Sequence, residues 1–214
     1  MRRGALALAL AAAAWPAPAA AEGPLLWQES YFFDALLQAR SRAARGQSDP
    51  QLLPVVKAVA GQVAQQVVNV QQIDLYVKAQ SDNLRYAFTQ EDPEPSLETI
   101  RSNFETLTKG NDQIRNNLYF LTARCRMASS QALPDPDLYQ AGLLLLGQVQ
   151  QLQLALNSLY LDTAAARQLV GENAWAADKY FRHASEEVLR SVVRIQDSVF
   201  SVYNAGYEFS MRSR

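Results

Sequence analysis

The sequence predicts an all-α protein: an elongated antiparallel up-down four-helix bundle, coiled-coil-like, with an additional N-terminal helix. Three observations predict it. Apolar residues recur at alternating gaps of three and four over four long stretches, the spacing that puts one stripe on one helix face. Proline and glycine clusters punctuate the chain at "RGQSDPQLLP" (45–54), "QEDPEP" (90–95) and "LPDPD" (133–137), with a weaker break at "GEN" (171–173). Between these clusters no run alternates apolar and polar residues as a half-buried strand would.

The chain opens with Arg2 and Arg3, an apolar run from Ala5 to Ala14, and small residues Ala19, Ala20 and Ala21 before Glu22. That order reads as a secretory signal peptide, residues 1–21, cut after Ala21. Glu22 stands where a lipoprotein anchor would need a cysteine. The mature chain of 193 residues (214 minus 21) then forms a single helical domain, 22–214, exported to a bacterial periplasm or beyond.

The first helix is expected over about 25–45, carrying Trp27, Tyr31, Phe32 and Phe33, with Arg40, Arg42 and Arg45 near its negative end. The second spans about 50–90, with Leu52, Val56, Val59, Val63, Val67, Val70, Ile73, Val77 and Leu84 on one side. Pro50 suits its first turn after Asp49 as cap, and Pro54 is the alternative start. The third, about 96–130, repeats Leu97, Ile100, Phe104, Leu107, Asn111, Ile114, Leu118, Leu121 and Cys125 straight through Lys109-Gly110-Asn111-Asp112. One glycine costs a helix only about 1 kcal/mol, so one unbroken rod is expected. Asn111 inside the seam reads as a polar contact that fixes register.

The fourth, about 137–170 with Asp137 as cap, repeats Leu138, Gly142, Leu145, Val149, Leu152, Leu156, Leu159, Thr163, Ala166 and Val170. The fifth, about 173–211, repeats Ala174, Ala177, Phe181, Ala184, Val188, Ser191, Ile195, Val199, Val202, Gly206 and Phe209. Phase runs on across Gly171, but a turn there, with Gly171 closing one helix and Asn173 starting the next, yields matched rods. Four such rods are roughly 50–60 Å long. A seven-residue repeat implies shallow left-handed crossing, and short connections favour antiparallel neighbours.

The chemistry is sparse. A formal charge of −1, shifting to −3 without the two leader arginines, argues against a nucleic-acid partner. Cys125 is the only cysteine and lies in a seam, so it reads as a buried small hydrophobe. The only histidine, His183, flanked by Arg182 and Glu186, has no second ligand to make a metal site, and no Cys-x-x-Cys-His offers haem attachment. No Gly-x-Ser-x-Gly elbow or phosphate-cradling glycine loop is present. The acids Glu91, Asp92, Glu94, Asp135 and Asp137 sit among prolines, where turns and caps use them. No cofactor and no enzymatic activity are expected.

One anomaly remains. No charge occurs from Ala58 to Ile73 or from Leu138 to Leu161, although both stretches are rich in glutamine, whereas the third and fifth helices carry ordinary exposed pairs such as Glu186 with Arg190. The glutamines make membrane insertion of the second stretch costly, so no transmembrane segment is expected. Two explanations compete: the rods are covered internally, partly by the first helix, or their uncharged faces meet another protein or a second copy, since interface cores are depleted in charge. The candidate interface residues are Gln62, Gln65, Gln66, Asn69 and Gln72, with Gln148, Gln150, Gln151, Gln153 and Asn157. "GQVAQQV" (61–67) and "GQVQQLQ" (147–153) resemble each other, and Gly61 and Gly147 could admit a close helix, although chance explains likeness between glutamine-rich stretches. The expected function is a scaffold, adaptor or accessory subunit of a cell-envelope assembly. The alternative is a binding protein or sensor for a small apolar or aromatic ligand, using Trp27, Trp175, Tyr203 and Tyr207. An enzyme is the third reading.

Overall fold

In the computed structural model residues 49–214 are described; the expected leader 1–21 and the expected helix over 25–45, with Trp27, lie outside them. The described residues form four helices: α1 (Leu52–Ala87), α2 (Glu94–Ser129), α3 (Pro136–Glu172) and α4 (Lys179–Ser213). Each holds 35 to 37 residues. No strand occurs among the described residues.

Local chemistry sets the ends. Pro54 is accommodated in the first turn of α1, where a backbone N–H has no helical partner to lose. Asp49 stabilises the entry, its Oδ1 accepting from the Gln51 N–H at 2.8 Å. α2 runs unbroken through Gly110, as its phase predicts.

Three end residues differ from expectation. Asp135, not Asp137, caps α3, accepting from the N–H groups of Asp137 at 2.9 Å and Leu138 at 3.3 Å. Pro136 takes the first helical position, which suits its fixed φ and leaves the cap to the residue before it. Gly171 does not close α3: it lacks the positive φ of a left-handed cap and stays inside the helix. Asn173 ends α3 instead of starting the next helix, its Nδ2 donating to the Leu169 carbonyl at 2.9 Å. Asp178 then caps α4, accepting from the Phe181 N–H at 2.6 Å. Arg182 closes the intervening turn by donating to the Ala174 and Ala177 carbonyls.

Direction alternates along the chain, up, down, up, down. Cross-helix bonds fix who neighbours whom. Asn103 of α2 donates to Gln80 of α1 at 3.0 Å and Arg124 to Gln62 at 3.0 Å, so α1 and α2 are antiparallel. α3 and α4 are likewise antiparallel, with Gly142 against Ser210 and Gly206 against Leu145. The closest packing, however, joins α1 to α3 and α2 to α4. Both pairs are parallel: Asp74 meets Ser158 and Lys78 meets Asp162, while Phe104 stacks on Phe181 at 5.8 Å and Asn111 meets Ser191. Two hairpins therefore lie side by side, giving one layer of α1 and α3 and another of α2 and α4. The connection from α2 to α3 crosses between layers diagonally, anchored where the Asp135 N–H donates to the Ser213 carbonyl at 2.9 Å.

The seams meet between the layers. All nine expected positions of α2 and all ten of α3 are buried. On α1 the buried residue is Gln66, whereas Val67 is half-buried; on the α4 side Ala174 lies half-buried in the turn. Asn111 is wholly buried, and its Nδ2 donates to Ser191 Oγ at 2.8 Å, a side-chain polar contact that ties α2 to α4 in register. Burial pushes the Cys125 thiol up to about 12. A second cluster of Leu52, Val56, Ala128, Leu138, Ala141 and Phe209 closes the end where the diagonal connection passes.

Candidate functional site

The parallel packing of α1 on α3 decides what the uncharged stretches build. Asp74 Oδ2 accepts from Lys78 Nζ at 2.7 Å and from Ser158 Oγ at 3.1 Å, and Lys78 Nζ reaches Asp162 Oδ2 at 3.3 Å. These contacts set a register in which an α1 residue lies beside the α3 residue 84 positions later (158 minus 74; 162 minus 78). The uncharged stretches 58–73 and 138–161 end at Asp74 and Asp162, the acids of this same cluster. In space they therefore lie side by side and merge into one uncharged face, closed at one end by an ionic clasp.

Within the clasp the two carboxylates oppose each other. Asp162 is pushed above the usual carboxylate range, first by burial and then by the hydrogen bond and charge of Asp74, with Lys78 working against both. The Lys78 ammonium is raised, first by its hydrogen bond to Asp74. Asp74 Oδ1 is buried and has no hydrogen-bond partner. The cluster thus fixes the α1/α3 register at an electrostatic cost, since a buried polar atom without a partner is unfavourable.

Beyond the core seam each helix carries a second stripe pointing the other way. On α1 it comprises Ala58, Gly61, Gln65, Val68, Gln72, Leu75 and Ala79; on α3, Leu144, Gly147, Gln151, Leu154, Ser158, Leu161 and Ala165. Both stripes alternate gaps of three and four, and each sits two residues out of phase with its core seam, about 200° around the helix. Leu75 and Leu161 are each 66% exposed and Leu154 63%. A Cβ added at Gly61 or Gly147 would meet nothing within 4 Å. Each glycine weakens its helix by about 1 kcal/mol relative to alanine, and nothing among the described residues fills the space it leaves.

The predicted polar residues divide among three surfaces. Gln65, Gln72 and Gln151 belong to the outer stripes, with Gln150 exposed beside them. Gln62, half-buried, accepts from Arg124 of α2; Gln66 is buried and accepts from Asn69 Nδ2 at 3.2 Å, while Gln65 donates to Asn69 Oδ1 at 3.3 Å. Those contacts are internal to α1 and its hairpin. Gln148 is half-buried. Gln153 and Asn157 turn toward α4, where with Leu156, Gln196, Val199, Phe200 and Tyr203 they line a cleft of about 400 Å³. Sequence reasoning missed the apolar members, Val68, Leu75, Leu154 and Leu161. A second stripe out of phase with the first was the signal that could have found them.

Other chemistry is thin. No group of three His, Cys, Asp or Glu side chains that could hold a metal occurs among the described residues, and none of their helices is long and apolar enough to cross a membrane. His183 is exposed on the second turn of α4. Asp92 and Asp135 accept backbone N–H groups at helix starts, which accounts for their place in the proline loops. Compared with known proteins, the chain matches no family model, no curated protein and no solved structure.

Proposed function

We propose that the protein is an exported, non-enzymatic helical scaffold or adaptor that works in a cell-envelope assembly through protein contacts made by the uncharged α1/α3 face. The observation that carries this reading is the parallel packing of α1 on α3, which fuses two separately uncharged stretches into one surface with exposed leucines. Isolated exposed leucines are ordinary on a protein, but Val68, Leu75, Leu144, Leu154 and Leu161 share this face with no charge from 58 to 73 or from 138 to 161. The export leader read from residues 1–21 supports the envelope setting. A photo-crosslinking side chain placed at Leu154, irradiated in living cells, tests it. Protein adducts, to another chain or to a copy, are expected. Adducts only to lipid or water would end the proposal.

A second reading has one observation behind it. The cleft of about 400 Å³ between α3 and α4, lined by Leu156, Val199, Phe200 and Tyr203, has the size of a small-ligand site. Tyr203 stacks on Tyr207 at 6.4 Å beside it, but Trp175 lies in the α3/α4 turn. Tyr203 stands 24 residues along α4 from Lys179, about 36 Å away, so these aromatics do not converge on one pocket. A small molecule co-purifying with the chain, and lost on Phe200→Ala, would favour this reading over the scaffold.

A further inference from the structure

We infer that the occupant of the α1/α3 face is a second copy of the same chain, related by a two-fold axis that lies in the plane of the face and crosses the rods at right angles. α1 then lies antiparallel on the partner's α1, and α3 on the partner's α3. The inference rests on reading this face as an interaction surface and names what covers it.

A two-fold interface needs a patch complementary to itself, and each outer stripe is complementary to its own reverse. Turned end for end about Val68, the α1 stripe sets Ala58 against the partner's Ala79, Gly61 against the partner's Leu75, and Gln65 against the partner's Gln72. Turned about Leu154, the α3 stripe sets Leu144 against the partner's Ala165, Gly147 against the partner's Leu161, and Gln151 against the partner's Ser158. Small meets large at both ends, and amide meets amide or hydroxyl beside the centre. The open space over Gly61 and Gly147 becomes the hole, and the 66% exposed Leu75 and Leu161 become the knobs. A two-fold axis along the rods would instead stack α1 on the partner's α3, glycine over glycine and leucine over leucine, and leave voids.

The register allows one axis to serve both helices. Residue 152 of α3 lies level with Val68, so Leu154 is two residues, about 3 Å, further along, within one turn. The stripe from 58 to 79 is about 33 Å long and two rods at about 10 Å each are about 20 Å wide, so roughly 650 Å² per copy is covered and about 1,300 Å² in all. That reaches the roughly 1,200 to 2,000 Å² of stable specific interfaces. The stripes themselves contain no charge, and the partly exposed charges within the covered span, Lys78 and Asp162 of the clasp, are already paired with each other at 3.3 Å.

Cysteine placement and a compensating exchange test the geometry in the mature chain, whose native Cys125 is buried and does not compete. Val68→Cys sits on the axis and is expected to form a disulfide-linked dimer by itself. Gly61→Cys is expected to link only when mixed with Leu75→Cys chains. By overpacking, Gly61→Leu is expected to weaken the dimer by about tenfold or more, read by sedimentation, while its circular dichroism stays helical. Adding Leu75→Gly in the same chain restores the dimer, because the introduced leucine then faces the introduced glycine. A strict monomer, self-linking at Gly61→Cys, or failure of the exchange to restore overturns the inference. If the monomer carries a crosslink from Leu154 to another envelope protein, the second copy is wrong and the interaction reading stands. A crosslink from Leu154 to residues 25–45 of the same chain assigns the face to that segment and also overturns the inference. If nothing is captured, both fall.

Discussion

Ser191→Ala removes the acceptor of the one hydrogen bond that the buried Asn111 amide donates, at 2.8 Å, across the α2/α4 layer. Asn111 is 0% exposed, so bulk solvent does not reach the freed N–H. Leaving a buried amide donor unpaired costs about 1 to 3 kcal/mol. For a chain of this size each kcal/mol moves the midpoint by about 2 to 4 °C, so thermal unfolding followed by circular dichroism should drop by roughly 2 to 12 °C. Adding Asn111→Val removes both halves of the stranded amide and places an apolar side chain among Leu107, Ile114, Val188 and Ile195. The double variant is expected to recover at least to the wild-type midpoint, since replacing both partners of a buried polar pair by apolar groups is close to neutral. An unchanged midpoint for Ser191→Ala, or a double variant less stable than the single, would refute the account of Asn111 as a polar contact retained for register at a cost in stability.

Other parts of the structure make their own predictions. Asp162 has a folded pKa raised above its unfolded one, so it binds its proton more tightly in the native state and favours folding in acid, a contribution lost as pH rises through the folded value. Asp162→Asn should therefore gain stability relative to wild type between acid and neutral pH, measured by urea midpoints; a difference that does not change with pH contradicts it. In a background made monomeric by Leu75→Glu, Gly147→Ala should stabilise the chain by about 0.5 to 1 kcal/mol, because the added methyl meets open space and improves helix propensity. Gly142→Leu should do the opposite and sharply lower the thermal midpoint, since even a Cβ there would run into Ser210 Oγ and stand 3.1 Å from Phe209 Cδ1. Cys125 should resist thiol reagents in the native chain and react only as fast as it unfolds.

The core seams were legible because period is a local property. Leu97 to Cys125 and Leu138 to Val170 announce their buried faces whatever they pack against, and one glycine, Gly110, does not interrupt that signal. Helix ends were less legible. Asp137 and Asp135 are both acids beside a proline, and only the first-turn preference of Pro136 separates them. Asn173 can start a helix or end one, and its bond to the Leu169 carbonyl decides. Which helices neighbour each other was not legible at all, because the parallel contact of Asp74 with Ser158 spans 84 residues and leaves no periodic trace. The same gap hid the surface. Uncharged glutamine stretches were visible in α1 and α3 separately, but their fusion into one face depends on that parallel contact. Gln62 and Gln66 looked equivalent to Gln65 and Gln72 by composition, yet a difference of 100° per residue sends them inward.

The most direct test of the central claim is the molar mass of the chain from Glu22 onward by light scattering during gel filtration, across a range of dilution, with wild type beside Leu75→Glu/Leu161→Glu. A wild type at twice the mass of one chain that dissociates on dilution, and a charged variant that stays helical at the mass of one, are the predicted results. A wild type at the mass of one chain at every concentration, or a charged variant that dimerises as well as wild type, would contradict the assignment of the α1/α3 face to self-association.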